Sequence, residues 1–103
     1  MKDQECIITH HDQGHRGEYR AEVPDSPHVG RMTWVKHGEA RLVDHTIVPP
    51  DIGGRGIAAR LVEAIVADAR AQGFKVWPQC SYVVAAFDRH PEWADIRAGA
   101  LSP

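Results

Sequence analysis

Cysteine is scarce in this chain. Cys6 and Cys80 lie far apart and form no C-x-x-C pair, which leaves no disulfide framework and no cysteine-based zinc template. With a polar opening over residues 1–5 and no signal-length apolar stretch behind it, both read as free thiols in a reducing compartment, and the cytoplasm is the expected location. Apolar runs near the roughly 20 residues needed to span a bilayer are missing too. So is an excess of one charge: 12 Lys and Arg stand against 14 Asp and Glu, and the cations are scattered. That argues against a dedicated nucleic-acid or anionic-membrane surface, both of which need clustered positive charge.

What remains is one expected domain over residues 1–103, with 1–16 as a loose N-terminal segment. The run Thr9-His10-His11-Asp12-Gln13-Gly14-His15-Arg16 is polar and reads as a loop. Its three histidines invite a metal reading, but their spacing matches no zinc template, and a surface loop or water-facing edge strand explains them as well.

From residue 18 onward the pattern changes. Tyr19, Ala21 and Val23 alternate with Glu18, Arg20 and Glu22, the period-2 signature of a half-buried strand. Pro24-Asp25-Ser26-Pro27 is a turn, residues 29–35 a second strand with Met32 and Trp34 in the core, and 40–48 a third. Short connections make these an antiparallel meander. Pro49-Pro50 ends it, and a glycine-rich turn opens a helix that runs to about Gln72 with Ala58, Leu61, Val62, Ile65 and Ala69 on its apolar face. Gly73 stops that helix; residues 74–77 form a strand and 81–90 a second helix. The order β-β-β-α-β-α predicts a mixed α/β (α+β) fold in which the third and fourth strands lie parallel through a right-handed crossover.

The turn Gly53-Gly54-Arg55-Gly56 carries the clearest chemical signal. A helix's first turn has unpaired N–H groups and a dipole that favours negative charge, and glycine lets a phosphate approach the backbone closely. Gly54-x-Gly56-x-x-Ala59 formally fits the dinucleotide fingerprint, yet the next strand ends Trp77-Pro78-Gln79-Cys80 without the acidic residue that fingerprint requires. The Gly-Lys-Ser/Thr of a Walker A loop is absent as well.

At these residues the chain resembles the GNAT acetyltransferase superfamily, whose coenzyme A signature is Arg/Gln-x-x-Gly-x-Gly/Ala. Gly56 and Ala58 match it, whereas Gly53 stands at the Arg/Gln position, and Arg55 is a candidate to supply charge instead. The likeness is closer to a subgroup of short predicted acetyltransferases of bacteria, plants and animals. It runs through Asp44-His45-Thr46-Ile47-Val48-Pro49-Pro50, Gly54-Arg55-Gly56-Ile57-Ala58, Trp77-Pro78-Gln79-Cys80-Ser81-Tyr82-Val83 and Phe87-x-Arg89-His90-Pro91-Glu92-Trp93, most of residues 40–93. The resemblance implies a compact GNAT-like fold and acetyl-coenzyme A as co-substrate. It also implies pyrophosphate on the amides of Gly53, Gly54, Arg55, Gly56, Ile57 and Ala58, and a pantetheine arm beside Val48, in a gap between the strands flanking the helix.

Three residues are candidates for the chemistry. Cys80 sits where a strand hands over to a helix, and a helix N-terminus can shift a thiol below its ordinary value of about 8.5; it is a candidate acid for the leaving thiolate, a candidate nucleophile, or a small buried hydrophobe. Tyr82 competes for the acid role, with a core aromatic as the alternative. His45 is a candidate base. His90 and Trp93 suit packing or contacts to the adenine end. The expected function is an N-acetyltransferase passing the acetyl group to a small amine, a protein lysine or a protein N-terminus. The rivals are a non-catalytic acyl-coenzyme A binding module that regulates a partner protein, and a metal-binding protein using the N-terminal histidines.

Overall fold

The computed structural model describes residues 6–98, which form a five-stranded sheet in the order β1-β2-β3-β4-β5. The strands are β1 (Ile7–Asp12), β2 (Arg16–Glu22), β3 (Val29–His37), β4 (Ala40–Ile47) and β5 (Lys75–Pro78). Neighbours in β1 to β4 run antiparallel, and β5 lies parallel to β4. Helix α1 (Ile57–Gln72) makes the crossover, α2 (Ser81–Arg89) follows β5, and 3-10 turns at Pro50–Ile52 and Pro91–Ile96 close the gaps. The mixed α/β fold expected from the sequence is the observed one.

One element departs from expectation. The polar run 9–16 is not a loop: Ile7–Asp12 is an edge strand paired with β2, and only residues 13–15 turn. The reason is cross-strand packing that composition hides. Ile8 packs against the core, and the His10 ring stacks on Tyr19 with centroids 4.0 Å apart. Nε2 of His10 accepts a hydrogen bond from the Trp34 indole N–H at 3.0 Å. His10 therefore faces inward while His11 faces the opposite side of the sheet. Among the described residues no group of three or more His, Cys, Asp or Glu is placed to hold a metal ion.

Helix α1 lies across the inner face of the sheet, burying Ile57, Leu61, Val62, Ile65, Val66 and Ala69 against Tyr19, Met32, Trp34 and Val43. Truncating a buried Leu or Ile in such a core typically costs about 2–5 kcal/mol. Gly73 ends the helix with φ 83°, its N–H donating to the Ala69 carbonyl at 2.8 Å, the left-handed cap that glycine takes without a steric penalty. Val83, Ala86 and Phe87 of α2 join the same core. On the other face of the sheet Arg31, Val35, His45 and Ile47 are exposed. No helix among the described residues is long and apolar enough to cross a membrane.

Candidate active site

Strands β4 and β5 pair only from Ala40↔Lys75 to Val43↔Pro78. Both the Gln79 and the Cys80 amides then donate to the Val43 carbonyl, at 3.0 and 3.1 Å, and α2 begins at Ser81. Two local features end the ladder. Pro78 has no N–H to offer. On the other strand Thr33 pairs with His45 but Trp34 with Val43, so Asp44 is an extra residue that bulges β4. Beyond Val43, β4 runs on to Ile47 with β3 as its paired neighbour, which leaves the backbone of residues 46–48 on an open edge.

Cys80 closes this opening from the α2 side. It is the N-cap of α2, and its Sγ donates to the Thr46 hydroxyl at 3.5 Å. Burial pushes the thiol's pKa up, but the Thr46 hydroxyl and the backbone amides of Val83, Tyr82 and Thr46 stabilise the thiolate more strongly, and the net shift is downward. Cys6 is also a free thiol, and burial moves it the other way, upward.

The other sequence candidates fall in different places. Alternation along β4 turns His45 away from Thr46, onto the outer face. There it lines a concavity of about 530 Å³ together with His11, Glu18, Thr33 and Asp44. Strand register sets His11, Glu18, Thr33 and His45 in one row across four strands, and the Thr33 hydroxyl donates to Asp44 at 2.6 Å. Tyr82 is half-buried and packs against the core. Trp93 is buried beside Phe87, with His90 stacked on it at 4.0 Å, which is the packing alternative for both. Thr46 is the contact to Cys80 that no motif in the sequence marks; its signal is the same alternation that turns His45 outward.

The glycine turn is anchored by Ile52, which is fully buried. Gly53 is extended, whereas Gly54 and Gly56 have φ of 77° and 73° and would meet nothing within 4 Å if they carried a Cβ. Open space thus lies in front of both left-handed glycines. The first intrahelical bond runs from the Arg60 amide to the Gly56 carbonyl, so the amides of residues 57–59 point out of the helix end, and no acidic residue occupies the first turn. These features fit a phosphate-bearing ligand. Val48 is half-buried, between the open edge of β4 and the turn. Arg55 does not reach over the turn: its guanidinium donates to both Asp25 oxygens, at 3.0 and 3.4 Å.

Residues 18–96 match the family model described as GCN5-related N-acetyltransferase. The chain belongs to that family. Two solved structures share the GCN5-related fold at low identity. A GCN5-like protein of Staphylococcus aureus, determined by NMR, is 20% identical over 98% of this chain and 94% of its own, with a TM-score of 0.63. The ribosomal-protein-alanine N-acetyltransferase of Brucella melitensis biovar Abortus 2308 is 22% identical over 89% of this chain and 67% of its own, with a TM-score of 0.60. No curated protein matches. In this member of the GCN5-related N-acetyltransferase family the β4–β5 opening and the glycine turn lie on one continuous segment from β4 to α2.

Proposed function

We propose that this chain transfers the acetyl group of acetyl-coenzyme A to an amine acceptor. The observation that carries this reading is the opening between β4 and β5, with the Cys80 thiol held against Thr46 across it. The glycine turn supplies backbone amides for the pyrophosphate, residues 53–58 being the contact segment, and the free edge of β4 near Val48 supplies backbone partners for the pantetheine arm. Donors aimed at the thioester carbonyl stabilise the charge that develops on its oxygen.

The lowered pKa of Cys80 favours its role as nucleophile. Its thiolate attacks the thioester carbonyl, a bond forms between the carbonyl carbon and Cys80 Sγ, and the bond to the coenzyme sulfur breaks, releasing coenzyme A thiolate. The amine then attacks the Cys80 thioester, a C–N bond forms, and the Cys80 thiolate leaves. The proton lost by the amine passes to the Cys80 sulfur as it leaves; His45 faces the outer concavity, away from Thr46 and Cys80, and is not placed to take it. Tyr82, two residues on from Cys80 in α2, is the alternative acid for a route of direct attack. A screen of amine acceptors with acetyl-coenzyme A, read as release of free thiol, tests the reading. An absence of turnover with every acceptor, alongside stabilisation by coenzyme A, would leave the binding-module function in its place.

A further inference from the structure

The phosphate turn and the residues flanking it meet the β2–β3 connection and the start of β3 at three points. Asp25 holds Arg55 at 3.0 Å. His28 Nε2 lies 3.1 Å from an Asp51 carboxylate oxygen. Gly30 lies so close to Ile57, the first residue of α1, that a Cβ on it would sit 2.9 Å from Ile57 Cγ2. The connection is itself folded, with the Ser26 amide on the Val23 carbonyl at 3.1 Å and the His28 amide on the Ser26 hydroxyl at 3.1 Å. Residues 25–30 therefore brace residues 51, 55 and 57, on both sides of the left-handed Gly54 and Gly56.

The brace has a use because of what the turn lacks. Glycines at 53, 54 and 56 give the segment a large conformational entropy to lose when its amides converge on a phosphate. The signature's Arg/Gln position is Gly53, so no side chain there adds charge to offset that cost. Arg55 is bonded to Asp25, and that pairing holds the Asp25 carboxyl below its usual range. Resting on the cofactor reading above, we infer that residues 25–30 are a positioning strap for the cofactor turn, with Arg55 as a strut from turn to strap rather than a phosphate ligand. Affinity for coenzyme A is then set by pre-ordering of main-chain amides, the general route by which an ordered site binds more tightly than a mobile one.

A double-mutant cycle tests this. As an exposed ion pair, Asp25–Arg55 is worth at most about a fivefold change in binding. Asp25→Asn and Arg55→Gln should each weaken coenzyme A binding about twofold to fivefold by calorimetry, by the same factor, and the double variant no further. The loss should fall on KM for acetyl-coenzyme A rather than on kcat. His28→Gln should act in the same direction, and amide hydrogen exchange over residues 53–58 should speed up in all these variants without ligand. Tighter or unchanged binding in Asp25→Asn, with a larger loss in Arg55→Gln, makes Arg55 a direct phosphate ligand and overturns the strap. Binding and exchange unchanged in every variant overturn it equally. A wild-type chain that binds no coenzyme A defeats the cofactor reading instead. Exchange then decides the strap alone, and an unaltered rate in Asp25→Asn rejects it.

Discussion

The Cys80 thiol donates to the Thr46 hydroxyl at 3.5 Å, joining the start of α2 to the unpaired edge of β4. That contact, with the amides of the α2 N-terminus, lowers the thiol's pKa against the opposing effect of burial. Alkylation by iodoacetamide should therefore rise at lower pH for Cys80 than for Cys6, whose pKa burial raises. Thr46→Val should move the Cys80 profile upward and leave that of Cys6 in place. Equal profiles for the two thiols would contradict the assignment.

Cys80 as nucleophile leaves a chemical trace. Acetyl-coenzyme A without acceptor should place one acetyl group on the Cys80 peptide, seen by mass spectrometry, and Cys80→Ala should abolish transfer while coenzyme A still raises the melting temperature. Protection of Cys80 with no acetylated peptide would instead indicate direct attack and shift the acid role toward Tyr82.

The turn admits a steric test. Gly56 has φ 73° and open space before it, so Gly56→Glu costs about 1–2 kcal/mol of backbone strain and sets a carboxylate where the phosphates are proposed to lie. Coenzyme A should then produce no thermal shift, while circular dichroism stays close to wild type. Normal binding by this variant would remove the phosphates from the turn.

The Tyr19 hydroxyl donates to Asp68 at 2.6 Å, bridging β2 to α1, and burial together with that bond raises its pKa far above the ordinary value. Asp68→Ala leaves a hydroxyl without its partner in the core and should lower unfolding free energy by about 1–3 kcal/mol in urea titrations. Tyr19→Phe in the same background should recover part of that loss.

His10 gives the fold a pH response. Burial lowers its pKa; Asp68 and Asp12 raise it, Arg41 and His11 lower it, and burial prevails. Just below the ordinary imidazole range the unfolded chain therefore binds more protons than the folded one at this position, and stability falls as pH falls through that window. The neutral ring's acceptor nitrogen, on which the Trp34 N–H depends, is lost on protonation. Urea midpoints at pH 7.5 and 5.5 should differ more in the wild-type chain than in His10→Gln, and equal differences would show that another group is responsible.

The amino-acid sequence by itself determined the strands with clean alternation, both helices, the left-handed cap at Gly73 and the position of the glycine turn, because each follows from local periodicity or from backbone freedom at a few residues. Strand β1 needed tertiary partners: after Ile7 and Ile8 its residues are polar, and the Tyr19 ring and the Trp34 indole are what make an inward His10 favourable. The placing of His45 and Thr46 on opposite faces of β4 follows from alternation, but the meeting of Thr46 with Cys80, 34 positions away in sequence, depends on how β4 and β5 part after Val43. Arg55 reads from sequence as a free charge beside a phosphate site, and the folded chain commits it to Asp25. The charge of a side chain is local, whereas its partner is set by which loops the packed sheet and helix bring together.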